Sequence, residues 1–512
     1  MRKVRLWVVL CSAPICFLLS LLAQSAPNRY RNELEPLIEK LMQQQQIPGL
    51  AIAIVENNQI VYARGFGAKN FSQKRKDDPV TRRSLFHVAS ITKTFVATSI
   101  MQLAEQGQVD LDMPVTKYLP YFRIADDRYR AVTIRQMLTH TSGMPDEVDY
   151  EWDKPQYDDG ALERYVRSLS GRNLKLEFQP GSKFQYSNMA YEVLGDLIAK
   201  VSGTSFEDYV RLHILEPLGM TRSTLLPKDA DPKLMTWGQV LDEQGDPLRS
   251  RVFPYNRMHS PSSDLLSNAM DMARWVMVNL NHGKLDGTRI LKEAMYDVMW
   301  KPAREIPEED ASAEPGGIGI SWFLGKYHGH LTVSHSGEDT GYVADLAMLP
   351  DKKIGVVWMT NCDWARTDAL THAALDVALG LKPQAIVMKR WFVRSMYLTF
   401  EDKGIDAAIE QYQYLRKHKA DLYDFREITL NGLGEFLLHE SHTKEAIRVL
   451  QLNVEAYPSS SRAYNSLADA YAADGNKNMA IANYEKALAL DPKSPHPTEA
   501  LKKLKEQDRL RE

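Results

Sequence analysis

A chain of 512 residues, 44% hydrophobic and 25% charged, has ordinary globular composition and is long enough for two or three domains. Its formal net charge of −3, with acids and bases interspersed, offers no basic stripe for a phosphate backbone and speaks against nucleic acid as a partner. Two of the three cysteines, Cys11 and Cys16, fall in the first 25 residues, which leaves Cys362 alone and no internal disulfide beyond that segment.

The chain begins Met-Arg-Lys-Val-Arg, runs apolar from Leu6 to Leu22 and reaches the small-residue pattern Ala23-Gln-Ser25. This reads as an export signal over residues 1–25, cleaved near Ser25; the alternative is an uncleaved anchor, since the run is near the lower limit for spanning a bilayer. Either way the bulk of the chain is expected outside the cytoplasm, periplasmic or secreted, with membrane contact only through an uncleaved segment.

A short helix over Glu33 to Gln43, with Leu34, Ile38 and Leu41 inward, precedes two strands, Leu50 to Val55 and Gln59 to Gly65, joined at Asn57-Asn58. Two asparagines between alternating runs favour a tight hairpin because asparagine tolerates positive φ. The stretch Val88-Ala-Ser-Ile-Thr-Lys-Thr-Phe95 then opens a helix, with Ile91, Phe95, Val96, Ile100 and Leu103 at three- to four-residue spacing and Gly107 as its stop. Residues three apart share a helix face, so Lys93 can reach the Ser90 hydroxyl. A serine hydroxyl needs a neighbouring base to become a nucleophile. Chance alone supplies roughly two Ser-x-x-Lys matches in a chain this long, so the pair needs company.

From Ser90 to about Trp300 helical periodicity and Pro/Gly loops dominate, and strands return at Leu331 to His335, Tyr342 to Leu349 and Ile354 to Met359. The expected fold is of α/β (α+β) type: one antiparallel sheet made from both ends of the domain, a helical lobe inserted between them, and a cleft at their junction. His328 and His330 alternate beside His335, but no acidic or cysteine partner stands at ligand spacing, so no metal and no other cofactor is expected.

Company for Ser90 and Lys93 arrives in order: Leu138-Thr-His-Thr-Ser-Gly-Met144, Gln179 to Asn188, Pro217-Leu-Gly-Met220, Ser267 to Trp275 and His335-Ser-Gly337. Together these resemble the serine β-lactamase and penicillin-binding-protein-like family, in its class C β-lactamase, DD-peptidase and esterase branch, over roughly Asn32 to Leu381. The resemblance implies Ser90 as the acylated nucleophile, Lys93 as its base and Tyr186 as the phenol that shuttles the proton. It implies Asn188 as the amide that holds the substrate, and the backbone N–H groups of Ser90 and Glu338 as the oxyanion hole. Ser336 and Gly337 follow His335 where the β-lactamases carry lysine-threonine-glycine. A histidine of ordinary pKa is only about one quarter protonated at pH 7, so the expected anchor for a substrate carboxylate is weak and pH-dependent. Lys93 and Tyr186 are expected to titrate as a coupled pair. His140 is expected to brace a loop rather than act on substrate.

From Trp391 onward Pro458 and Pro492, Ala446 and Ala480, Leu433 and Leu467, Leu450 and Tyr484, and Leu437 and Tyr471 stand 34 apart. Period and pattern resemble tetratricopeptide repeats, with a degenerate earlier copy around Ala408 and Tyr412 and a capping helix from Pro497. The domains read as a signal over 1–25, a hydrolase over 30–381 and helical repeats over 388–510.

The reading is an exported serine hydrolase that cleaves an ester or amide, D-amino acid derivatives included, through a Ser90 acyl-enzyme. Its rivals are a true β-lactamase or DD-peptidase, and a catalytically silent scaffold that works through its repeats. The expected partners are a small-molecule, peptide or peptidoglycan-like substrate and, through the repeats, a protein.

Overall fold

The computed structural model describes residues 28–70, 78–147, 149–306, 316–365 and 368–509, so the signal expected over 1–25 lies outside the described residues. The chain divides into two compact units, one holding the chain up to Val240 with Arg249–Val387, the other Leu241–Leu248 with everything from Met388 on.

The first unit is built on an eight-stranded antiparallel sheet. In chain order its strands are β1 (Gly49–Glu56), β2 (Gln59–Gly67), β3 (Arg304–Glu305), β4 (Gly317–Ile318), β5 (Phe323–Tyr327), β6 (His330–Asp339), β7 (Tyr342–Leu349) and β8 (Ile354–Thr360), and across the sheet they run β2-β1-β8-β7-β6-β5-β4-β3. Asn57 and Asn58, at φ 48 and 65, make the expected hairpin turn, and Ile52 pairs with Trp358, so the first strand of the domain lies beside the last. The two-residue strands β3 and β4 carry too short a pattern to read from sequence.

Helix α1 (Glu35–Gln45) opens the unit, and the lobe between β2 and β3 carries α2 (Thr92–Glu105), α3 (Asn188–Ser202) and α4 (Ala269–Leu280). Phe95 of α2 stacks on Trp275 of α4 at 3.9 Å between ring centroids, and the Trp275 indole donates to Thr94 Oγ1 at 3.1 Å. Both rings are fully buried, each contributing roughly 2–3 kcal/mol of hydrophobic stabilisation. Helix α4 in turn lies on the sheet, so close that a Cβ on Gly355 of β8 would stand 2.2 Å from Val276 Cγ1. Glycine is what this strand–helix contact requires. Helix α5 (Ala369–Leu379) packs on the sheet as well.

The second unit is a run of helices: α6 (Val393–Lys403), α7 (Ile405–His418), α8 (Glu427–His439), α9 (Thr443–Ala456), α10 (Ser461–Ala473), α11 (Lys477–Leu490) and α12 (Pro495–Arg509). The 34-residue pairs Leu433/Leu467, Leu437/Tyr471, Ala446/Ala480 and Leu450/Tyr484 are all buried, and Leu501 of the closing helix joins their core. Leu241–Leu248, the tip of a hairpin turning at Gly245 (φ 74), belongs to this unit although it falls inside the span 30–381 expected for the hydrolase. Arg390 Nη1 donates to the Gly245 carbonyl at 3.0 Å, Lys419 Nζ pairs with Asp246 at 2.7 Å, and Lys403 pairs with Glu243. Among the described residues no helix is long and apolar enough to cross a membrane.

Candidate active site

Ser90 sits in a single 3₁₀ turn, Ala89–Ile91, that runs directly into α2. The residue before it, Ala89, is held at φ 47, a left-handed conformation that a residue with a Cβ adopts only where its surroundings enforce it. Strand β6 lies against this turn. A Cβ on Gly337 would stand 2.2 Å from the Val88 carbonyl and 2.8 Å from the Ser90 backbone nitrogen, so the strand backbone lies against the turn and places Glu338 next along the same edge.

One helical turn after Ser90, the Lys93 ammonium donates to Ser90 Oγ at 2.9 Å and to the Ser262 carbonyl at 2.8 Å. Lys93 is fully buried. Burial is the largest influence on it and brings its pKa down to about 8, against the upward pull of Glu192, Asp146 and Asp339. Nζ also stands 5.0 Å from the centroid of the Tyr186 ring, and the Tyr186 hydroxyl shares a hydrogen bond with Ser90. Burial drives the Tyr186 pKa well up, with the Ser90 hydrogen bond opposing. Burial thus pushes the two neighbours in opposite directions, the phenol up and the lysine down to about 8.

Tyr186 is positioned by the Thr139-His-Thr-Ser-Gly143 turn. His140, at φ 53, stacks on Tyr186 at 4.2 Å and on Tyr191 at 5.0 Å between centroids, and its Nδ1 accepts the Ser187 N–H at 3.0 Å. Its carbonyl accepts from Gln185 N at 2.8 Å, and that of Thr141 from Gly181 N at 2.7 Å. The turn braces the loop that delivers the phenol. Burial, with Lys93 next, holds His140 well below the usual imidazole range, so it is neutral.

Asn188 opens α3, where the Ser187 hydroxyl caps the helix by accepting Ala190 N. Its side-chain nitrogen donates to Asp146 Oδ1 at 2.9 Å, and that same oxygen accepts the Asn188 backbone N–H at 2.7 Å. One of the two donors of the amide expected to hold substrate is thus taken by Asp146, which fixes the orientation of the Asn188 side chain.

His335 departs further from expectation. Instead of being partly charged, it is 2% exposed, with its ring edge-on to Phe323, and burial followed by Lys93 lowers its pKa to about 3. Nδ1 donates to the Ser336 carbonyl at 2.6 Å, so Nε2 carries the lone pair. With burial foremost and no carboxylate among the described residues raising its pKa, the imidazole is neutral near pH 7 and not the partly charged anchor expected. Ser336, next on the strand, is exposed.

Three supporting groups had no local signal in sequence. Asp339, two residues past Gly337, takes His87 Nε2 at 2.8 Å and the Ser263 hydroxyl. Glu192 is fully buried beside His259, and Asp146 lies 42 residues before Asn188. His328 and His330 go to different carboxylates, Asp376 at 3.1 Å and Asp351 at 2.6 Å, and among the described residues no three metal-ligating side chains cluster.

The arrangement joins a hydroxyl, a buried amine that titrates near neutrality, a phenol and a strand edge beside them, the parts that acyl transfer needs. A family model described as beta-lactamase matches residues 34–379, and a tetratricopeptide-repeat model matches residues 461–494. Protein flp of Staphylococcus aureus (strain MW2) is 28% identical over 335 residues, 65% of this chain and 64% of that protein's own length. Beta-lactamase-like protein 2 of Dictyostelium discoideum is 28% identical over 393 residues, 73% of this chain and 69% of its own. The octameric penicillin-binding protein homologue from Pyrococcus abyssi superposes with a TM-score of 0.60 at 28% identity, covering 72% of this chain and 81% of that one. A class C beta-lactamase shares the fold at a TM-score of 0.56 and 23% identity, over 69% of this chain and 96% of that one.

Proposed function

The chain belongs to the beta-lactamase family, a family of serine hydrolases, and from that premise we propose that it opens an uncharged ester or amide through an acyl-enzyme on Ser90. The observation that carries this reading is the 2.9 Å contact between Ser90 Oγ and a buried Lys93 whose pKa is near 8. Neutral Lys93 takes the Ser90 proton as Oγ attacks the carbonyl carbon. The backbone N–H groups of Ser90 and Glu338 receive the oxyanion, and as the bond to the leaving group breaks Tyr186 passes its proton to the departing alcohol or amine and takes one back from protonated Lys93, which ends neutral. Water then releases the acyl group by the reverse path.

The neutral state of His335 supports an uncharged acyl donor. A substrate carboxylate there would be desolvated without a cation to meet it. D-Amino acid esters and amides fit this description better than penicillins or D-alanyl-D-alanine ends. The apolar run and small-residue pattern of residues 1–25 support action outside the cytoplasm, and the helix pairs of the second unit support a protein partner there.

Labelling with a fluorophosphonate probe and mapping the modified peptide tests the nucleophile. The ratio of kcat/KM for a neutral nitrophenyl ester to that for a chromogenic cephalosporin tests the substrate class. Modification at Ser90 with a preference for the ester is the expected result. Modification elsewhere removes the mechanism, and a preference for the cephalosporin makes a β-lactamase or DD-peptidase the better reading.

A further inference from the structure

A neutral amine that is to take the Ser90 proton must present its lone pair to that hydroxyl, so its N–H bonds need a fixed acceptor elsewhere. The Ser262 carbonyl, 2.8 Å from Lys93 Nζ, is such an acceptor, and it belongs to a one-turn helix, Ser260–Ser263. Whatever fixes this turn aims the lone pair.

Two buried pairs of histidine and carboxylate hold it, one at each end. After Ser262, the Ser263 hydroxyl and His87 Nε2 share Asp339. Before the turn, the fully buried ring of His259 sets Nδ1 3.3 Å from Oε1 of Glu192, a fully buried residue of α3. The His259 carbonyl accepts the Ser262 hydroxyl at 3.2 Å, which ties that ring to the residue whose carbonyl meets Lys93. Tyr150, Tyr165 and Trp152 close around the imidazole, with centroids at 4.9, 5.0 and 6.3 Å, and leave it little freedom to turn away from Glu192.

A buried carboxylate is costly and persists where its charge is answered. His259 answers through Oε1; Oε2 is buried with no hydrogen-bond partner among the described residues. Lys93 answers the remainder. Burial raises the Glu192 pKa, and His259, Ser262 and Lys93 oppose it. Burial lowers that of Lys93, and of the carboxylates that oppose it Glu192 comes first, before Asp146 and Asp339. The other groups around them add no charge: burial holds His140 and His335 neutral and keeps the Asp264 carboxyl, next after the turn, well above the usual carboxylate range.

We propose that Glu192 and His259 are the positioning residues of the Ser90 centre, holding the Ser262 carbonyl where it turns the Lys93 lone pair on Ser90. The inference rests on Lys93 acting as the base of an acyl transfer. The Glu192 charge also governs the pH at which the lone pair appears, because a carboxylate nearby favours the ammonium.

Two variants of the full-length protein separate charge from reach. Glu192→Gln keeps the shape and an acceptor for His259 but removes the charge, so the acid limb of kcat/KM for a nitrophenyl ester should move to lower pH. A midpoint lowered from about 8 to about 7 raises the ratio of kcat/KM at pH 6 to that at pH 9 about 8-fold. Asp196→Asn, which removes another buried carboxylate from the same helix, should leave the ratio unchanged. Glu192→Asp keeps the charge but falls short, so kcat should drop about 10-fold or more with KM held within about twofold and the midpoint within about half a pH unit. Lys93 is read without turnover by ¹³C NMR of protein labelled at lysine Cε, its signal being the one lost in Lys93→Met. A signal whose midpoint falls in Glu192→Gln supports the inference even in a protein that proves to have no esterase activity, which would remove the hydrolase reading alone. A Lys93 midpoint unmoved by Glu192→Gln, or moved as far by Asp196→Asn, overturns it. Should Glu192→Gln not fold, Glu192→Asp decides, and full kcat in that variant overturns the proposal.

Discussion

Two basic side chains, Lys93 and His335, stand on different walls of the Ser90 cleft, and the interior treats them differently. On the helical wall Lys93 is stripped of water but lies within the field of Glu192, Asp146 and Asp339, so its pKa comes to rest near 8. On the strand wall His335 is stripped of water, has no carboxylate acting on it among the described residues and feels Lys93 as a like charge, so its pKa falls to about 3. Burial lowers both. The company of carboxylates decides which of them keeps a proton to exchange at working pH, and which is reduced to a neutral hydrogen-bonding group. Buried basic residues in such a cleft are to be read by their acidic neighbours before their own type.

The largest effect is expected from abolishing the helical wall's chemistry. Ser90→Ala, Lys93→Ala and Tyr186→Phe should each lower kcat for a nitrophenyl ester by about 10³-fold or more, with the triple variant little worse than the worst single one. Strictly additive losses would mean that the three do not act together. In the same assay kcat/KM should rise with pH through about 8, since Lys93 must lose its proton to act as a base. A profile flat from pH 6 to 9 would remove Lys93 from that role.

Next comes the seam between the walls. Gly337→Ala drives a methyl group into the Val88 carbonyl and towards the Ser90 nitrogen, so it should cost about 2–4 kcal/mol of stability and most of the activity. Thermal unfolding reads the first and ester turnover the second. A stable, active variant would show that β6 does not press on the Ser90 turn.

A smaller effect isolates the strand wall. His335 titrates at about 3 in the folded chain and near 6.5 unfolded, so between those values the unfolded chain binds more protons and stability falls as pH is lowered. From pH 6.5 to 5 the loss is about 2 kcal/mol, which His335→Gln should abolish; denaturant unfolding at the two pH values measures it. Equal acid sensitivity in wild type and variant would mean that His335 is not desolvated.

The pair Ser90 and Lys93 was legible because three residues along one helix is a local relation. The hairpin at Asn57-Asn58 was legible for the same reason, and so were the 34-residue spacings, of which all but the exposed Pro458 and Pro492 join buried residues. What surrounds and orients Lys93 was not legible. His87 reaches Asp339 across 252 residues, Lys93 reaches the Ser262 carbonyl across 169, and no periodicity announces either. The charge state of His335 failed for a related reason: its pKa depends on a burial that other segments complete, and residue type alone returns the value for water. Asn188 was legible only by its place in the family pattern, and its partner Asp146 comes from a loop with no pattern of its own.

The smallest effect tests whether both walls are complete without the repeats. A chain ending at Gln384 should hydrolyse a nitrophenyl ester within about threefold of the full protein, because every contact described for the cleft is made before that point. An inactive or insoluble product would make the repeats part of the enzyme's own structure.

The hairpin tip at Gly245 also sets an order of events during synthesis. Its carbonyl is taken up by Arg390, 145 residues later, and at about 5–20 residues per second the ribosome needs roughly 7–30 s to make that distance. For that interval Glu243 and Asp246 face water, and the strands flanking the tip must find their register without the contacts that finally hold it. The tip is polar and turns on its own glycine, so the nascent chain can leave it waiting. A greasier loop at this place would be a standing invitation to the wrong partner while the rest of the protein was still being made.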